Sequence, residues 1–312
     1  MRTAFVKELE MLMKSDDTYL LTGDLGFSVF ENIRDTYKGR YLNMGVAEQN
    51  MLGVAAGMAI TGRNVFVYSI IPFLIYRPFE QLRNDICYQN LPVRLVGVGA
   101  GFSYSDAGFT HHAIEDYGVL RSLPNLTILS PADPVEVKEI MHHLNEIHGP
   151  LYMRLARNGE PVLHSKHNEL EIGRALQILK GDDILIVSSG AILSRAIEVA
   201  KFLESNNYSV ELLDYHTLKP FDEQTLVESS ADKKMVITIE EHLINSGLCS
   251  IVSQILAKNS IKCKFLPFGI REPYIHLSGT REFMLSLHEL DLSSILGKLK
   301  NELKMGDAVV NQ

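Results

Sequence analysis

Val93-Arg94-Leu95-Val96-Gly97-Val98, bounded by Pro92 and Gly99, reads as a strand buried on both faces. Such a strand belongs inside a sheet that is covered on both sides, which in practice means a parallel sheet flanked by helices. The segments around it have the matching rhythm. Tyr19–Thr22, Asn64–Tyr68, Leu126–Leu129 and Leu151–Leu155 read as strands. Helical patterns separate them over Ala47–Ile60, Arg77–Gln89 and Ala113–Arg121, with another starting near Pro134. Right-handed crossovers then bring the loops after successive strands to one edge of the sheet.

The rhythm breaks between Asn158 and Asp182, where Gly159, Pro161, Gly173 and Gly181 fall among polar residues. A second alternating unit follows. Its strands are expected at Ile184–Val187, Val210–Leu213, Met235–Ile239 and Lys262–Phe265, and its helices at Ala191–Glu204, Asp222–Ser229 and Gly247–Ala257. The expected fold class is α/β with two doubly wound domains. The first spans residues 1–158, a linker spans 159–181, and a smaller domain spans 182–312 with a polar tail past Lys304 that need not be ordered. At 312 residues the length suits two domains.

Charge and cysteine usage exclude several classes. A net charge of -8 offers no basic patch, so no nucleic-acid partner is expected. Cys87, Cys249 and Cys263 are scattered and odd in number, which argues for reduced thiols in a cytoplasmic protein. The first residues lack the apolar core of a signal peptide, and no apolar stretch is long enough to span a bilayer.

Glu48 heads the small-residue helix, in Gly45-Val46-Ala47-Glu48-Gln49-Asn50-Met51-Leu52-Gly53. Buried among apolar residues, its carboxyl is expected to favour the protonated form and to pass a proton through a hydrogen bond. A favourable charge at a helix N-terminus is the plainer reading. After the Val93–Val98 strand, the loop Gly99–His112 places Asp106 and His111 where parallel sheets gather ligand groups. Those two residues could equally stabilise the loop itself. Tyr68, Phe73, Tyr76 and Phe79 are either core or a platform for a flat ring, and Arg77 among them suits an anion or an ion pair with a partner chain. Arg157, beyond the strand ending near Leu155, can take a phosphate or pair with a surface acid. Gly97, Gly99 and Gly101 do not make a dinucleotide site, because the loop continues where a helix should start. His142, His143 and His148 miss the zinc spacing and read as a solvated face.

Taken in order, Gly45–Gly53, the Phe73 region, Asp106-x-Gly-x-Thr-His111, Leu120–Asn125, Ser130-Pro131-Ala132-Asp133, Ile239-Glu240-Glu241-His242 and Asn245–Leu248 resemble transketolases over nearly the whole chain. The resemblance is to their pyrimidine-binding and C-terminal domains, and to the related deoxyxylulose-phosphate synthase. It implies thiamine diphosphate as cofactor, with Glu48 hydrogen-bonded to N1′ of the aminopyrimidine so that N4′ can remove the C2 proton. It also implies Phe73, with Tyr76 beside it, as the aromatic wall, and Asp24-Leu25 near the cofactor. Asp106, His111, Arg157 and Arg77 would meet the substrate. His112 stands where transketolases more often carry Gln.

The Gly-Asp-Gly and later Asn that hold Mg²⁺ in complete transketolases have no counterpart, since Gly23-Asp24-Leu25 and Gly181-Asp182-Asp183 do not complete the pattern. The resemblance therefore implies no metal ligand here and a separate diphosphate-binding subunit that supplies them, in an α2β2 assembly. Ketol transfer between sugar phosphates is the activity expected. The alternatives are the β subunit of a 2-oxo acid dehydrogenase, a synthase-like carboligase and a non-catalytic partner subunit.

Overall fold

The computed structural model describes all residues except 16, 27, 158, 165–169, 272–275 and 306–312, so the expected boundary at Asn158 and most of the polar tail lie outside the described residues. In chain order the strands of the first half are β1 (Thr18–Thr22), β2 (Tyr41–Asn43), β3 (Asn64–Ile70), β4 (Val93–Val98), β5 (Thr127–Leu129) and β6 (Leu151–Leu155). Those of the second half are β7 (Leu176–Leu179), β8 (Ile184–Ser188), β9 (Val210–Asp214), β10 (Thr217–Lys219), β11 (Met235–Leu243) and β12 (Lys264–Ile270). The two sheets run β10-β5-β6-β4-β3-β1-β2 and β12-β11-β8-β9-β7. All pairings are parallel except β10 on β5 and β7 on β9.

Every residue of β4, β8, β9 and β11 is buried, as expected for strands between two helix layers. One apolar cluster runs from Val65, Leu95 and Tyr152 through Tyr117 to Leu185, Leu213 and Leu248, so the two sheets share a core.

Several expectations are corrected. The interval 159–181 is more than a polar linker, because β7 closes one edge of the second sheet and His164 is only 4% exposed. Strand β10 belongs by sequence to the second half yet pairs with β5 of the first sheet. The helix expected over Ala113–Arg121 shortens to Asp116–Leu120, because Ala113 and Gly101 form a two-bond antiparallel bridge. The helix expected over Arg77–Gln89 is a short α-turn at Phe79–Gln81 running into a π-helical stretch, Leu82–Cys87. The last strand starts at Lys264 and continues through Pro267 to Ile270, since an edge strand tolerates a proline that a central one would not.

Candidate active site

The segments that matter follow the C-terminal ends of neighbouring parallel strands, where such sheets gather ligand groups. Asp24 follows β1, Glu48 follows β2, Phe73 and Arg77 follow β3, the Gly99–His112 loop follows β4 and Arg157 follows β6. Glu48 opens the helix Glu48–Ile60 and is 3% exposed. It is not alone in an apolar pocket, as the sequence suggests. Arg77 Nη1 donates to both of its carboxylate oxygens, at 2.8 and 3.0 Å. A buried carboxylate needs such a partner, and Arg77 supplies it from within the chain.

From that pair a continuous set of contacts crosses the strand ends. The Arg77 guanidinium lies 4.0 Å from the Phe73 ring centroid. Phe73 meets the His111 ring edge-on at 5.1 Å, and Tyr104 meets His111 at 6.3 Å. Arg157 stacks over Tyr104 at 4.7 Å and approaches Asp106 Oδ1 at 3.8 Å. The structure thus brings Glu48, Arg77, Phe73, His111, Arg157 and Asp106 together, with Tyr104 as a link the sequence did not single out. Partial burial holds the His111 imidazole below its ordinary range, with Arg77 acting in the same direction and Asp106 against it. Neutral His111 is a proton acceptor at pH 7.

Asp24 and Leu25 stand at one remove. Asp24 adopts φ 57 and exchanges hydrogen bonds with Asn43, whose Oδ1 also accepts from Gly45 N–H. This ties the turn after β1 to the entry of the Glu48 helix. Leu25 packs against the cluster of Phe5, Phe30 and Tyr68. Tyr76 directs its hydroxyl to Glu115 Oε2 at 3.0 Å. A concavity of about 520 Å³ opens beside Glu48, lined by Val46, Ala47, Gln49, Asn50 and Arg77.

The loop that carries Asp106 and His111 is held from the second half. Glu241 accepts from Phe102 N–H at 2.7 Å and pairs with Arg281. Gly101, at φ +59, lies so close that a Cβ there would come within 2.4 Å of Glu241 Oε1. Buried Asp116 accepts from Tyr152 Oη at 2.7 Å and from Arg154 Nε at 2.9 Å. Arg154 also donates to the carbonyls of Ala113 and Glu241. Glu241 and His242 of the Glu240-Glu241-His242 motif therefore clasp the loop and the helix that follows it, a role that their sequence position could not reveal. His142 and His143 pair with Glu8 and Glu146, in keeping with an outward face.

His242 gives the clasp a pH dependence. Its Nε2 accepts from Tyr117 N–H at 3.1 Å and its Nδ1 faces Leu243 O at 3.1 Å, which fixes a neutral ring. Burial pushes its pKa down from 6.5 to about 4, Arg154 adding to the effect and Asp116 opposing it. Between those values the unfolded chain takes up a proton that the folded chain refuses. Stability from this group is therefore full above pH 6.5 and is lost as pH falls toward about 4, by on the order of 3 kcal/mol. Urea unfolding midpoints across that window should fall for the native chain and fall less for His242→Gln; parallel profiles would refute the assignment.

A transketolase pyrimidine-binding domain model matches residues 1–160 of the chain. The chain belongs to the transketolase family. The transketolase C-terminal domain model matches residues 173–291, so both halves are accounted for. An apulose-4-phosphate transketolase subunit of Actinobacillus succinogenes is 33% identical over 260 residues, covering 83% of this chain and 84% of that one. The 6-deoxy-6-sulfo-D-fructose transketolase subunit of a Clostridium species is 31% identical over 252 residues, covering 80% and 78%. A solved structure described as a split gene transketolase, inactive beta4 tetramer, superposes with a TM-score of 0.85 at 32% identity, covering 97% of this chain and 98% of that one. Transketolase membership implies dependence on thiamine diphosphate. Among the described residues no helix is long and apolar enough to cross a membrane.

Proposed function

We propose that this transketolase chain is the pyrimidine-binding half of a two-chain enzyme that moves a two-carbon ketol unit between phosphorylated sugars. The observation that carries the reading is the place of Arg77, a flat hydrogen-bonding group held between the Glu48 carboxylate and the Phe73 ring. An aminopyrimidine is also flat and presents ring nitrogens, so Glu48 and Phe73 fit it once Arg77 turns outward. The Arg77 side chain is 43% exposed and has room to do so.

Bound thiamine diphosphate supplies the carbon nucleophile for the transfer. Glu48 holds the proton shared with N1′ of the pyrimidine and so sets its tautomer. Neutral His111 and the Asp106 carboxylate accept hydrogen bonds from donor hydroxyls. Arg157, stacked on Tyr104, binds the anionic end of the sugar, and Arg77 joins it on the substrate side after leaving Glu48. The names of two relatives point the same way, one specifying a phosphate and the other a sulfonate on the ketose.

The diphosphate and its Mg²⁺ are assigned to a separate subunit, in an α2β2 assembly in the cytoplasm. The helix Glu48–Ile60 supports a partner, since its outer side exposes Gly53, Gly57 and Ile60 beside Val46, which is 70% exposed. That one related structure is described as an inactive tetramer of beta chains fits a chain that needs another to act. The test is a paired assay of the reconstituted enzyme, with ketose phosphate plus aldose phosphate and with pyruvate. Ketol transfer is the expected result; pyruvate turnover without any ketose reaction would overturn the reading in favour of a 2-oxo acid dehydrogenase.

A further inference from the structure

Where the two halves of the chain meet, four ionisable side chains are packed out of contact with solvent. Asp133 and Glu136 belong to the start of the helix Pro134–His142, His164 to the segment after β6, and Asp214 to the end of β9. None is more than 4% exposed. Three are acids, and among the described residues His164 is the only basic group paired with any of them. A protonated imidazole would therefore leave two negative charges unanswered in a buried site, a costly arrangement.

The hydrogen bonds divide these groups into two kinds. Asp133 is saturated: Oδ1 accepts from the N–H groups of Val135 and Glu136, and Oδ2 from those of Leu163 and His164. Its Oδ2 also lies 3.2 Å from His164 Nδ1. By contrast, Glu136 Oε1, both Asp214 carboxylate oxygens and both ring nitrogens of His164 have no hydrogen-bond partner among the described residues, the Nδ1 contact to Asp133 being an ion-pair approach only. These unpartnered atoms converge. His164 Nε2 stands 3.3 Å from Asp214 Oδ2 and 3.7 Å from Glu136 Oε1, and one ligand atom from each residue lies within 4.8 Å of the others.

Those separations are longer than the roughly 2.7–2.9 Å of a charge-assisted hydrogen bond. They are close to the spacing of about 3.3 Å between two ligands bound tetrahedrally at about 2.0–2.1 Å. A carboxylate behind the second ring nitrogen is also the usual support of a metal-bound histidine. The geometry points to a buried divalent-cation site of the zinc class, with His164 Nε2, Glu136 and Asp214 as ligands and Asp133 orienting the imidazole. The site staples the first sheet's flanking helix to the second sheet. It is separate from the cofactor's metal, whose ligands are assigned above to another chain, and does not depend on that reading.

The full chain, purified without a metal-binding tag, without thiamine diphosphate and without any other subunit, should hold one equivalent of Zn²⁺ by elemental analysis. Removal with a chelator should lower its melting temperature, and Zn²⁺ should restore it. Co²⁺ added to the stripped native chain should give the visible absorption of a low-coordinate site, a readout that needs no variant to fold. Asp214→Asn and Glu136→Gln should each weaken binding by at least about tenfold. A chain that takes up neither Zn²⁺ nor Co²⁺ and melts unchanged with chelator would overturn the proposal in favour of a proton-held network. Metal retained with full affinity in both variants would overturn it as well, because the ion would then lie elsewhere.

Discussion

Replacing Glu48 with Gln should lower the turnover of the reconstituted two-chain enzyme by at least about 100-fold while leaving the chain folded. The substitution keeps size and shape but removes the group that can hold a proton against the pyrimidine. Its structural cost should be small, because the Arg77 side chain is 43% exposed and can turn to water when its partner is neutral. Parallel measurements of kcat and of thermal unfolding separate the two effects. A large loss of turnover at nearly constant melting temperature is the expected outcome. Unchanged turnover would remove the proton relay and leave Glu48 as a structural partner of Arg77. It would also bring forward the reading of this chain as a non-catalytic subunit.

The second large effect is on stability and falls outside the cofactor site. Arg154→Leu should destabilise the chain by about 3–5 kcal/mol, the usual cost of leaving one member of a buried ion pair behind. Arg154 is 4% and Asp116 0% exposed, and their contact at 2.9 Å has no route to solvent. The loss extends beyond the pair. Arg154 also carries hydrogen bonds to Ala113 and Glu241, and its guanidinium lies 4.5 Å from the Tyr117 ring centroid. It therefore joins the end of the substrate-side loop to the second half of the chain. The companion double variant, Arg154→Leu with Asp116→Leu, should recover part of the loss, because no unpaired charge remains. Chemical denaturation of the native chain and the two variants checks this. A single variant within about 1 kcal/mol of the native chain would show that the clasp is not the seam's main polar support.

What could be read from the residues, and what could not, divides along physical lines. Strand β4 was legible because six consecutive buried residues sit between a proline and a glycine. Strands β2, β7 and β10 have only three or four residues each, with Asn43, Gln177 and Lys219 among them, and lack the apolar run Leu126-Thr127-Ile128-Leu129 that marks the equally short β5. That β10 crosses into the first sheet is a tertiary fact with no local signal. Glu48, Phe73, Asp106 and His111 were legible as motif residues. The Arg77 contact to Glu48 was not, since 29 positions separate the two. Asp116 was hidden inside what reads as a helix, and its burial comes from Tyr152 and Arg154, far along the chain. His164 was missed for a similar reason. Glycine and proline around it mark a linker, yet the segment is drawn into the seam by the saturated carboxylate of Asp133.

Everything proposed for Glu48, His111 and Arg157 requires this chain to be half of a site. The most direct measurement is affinity purification of the chain from its own cells, with stoichiometric mass spectrometry of what accompanies it. The expected result is a second subunit in equal amount, bearing Gly-Asp-Gly and a downstream Asn, with thiamine diphosphate bound by the pair and by neither chain alone. Recovery of this chain by itself, binding thiamine diphosphate and transferring a ketol unit unaided, would contradict it.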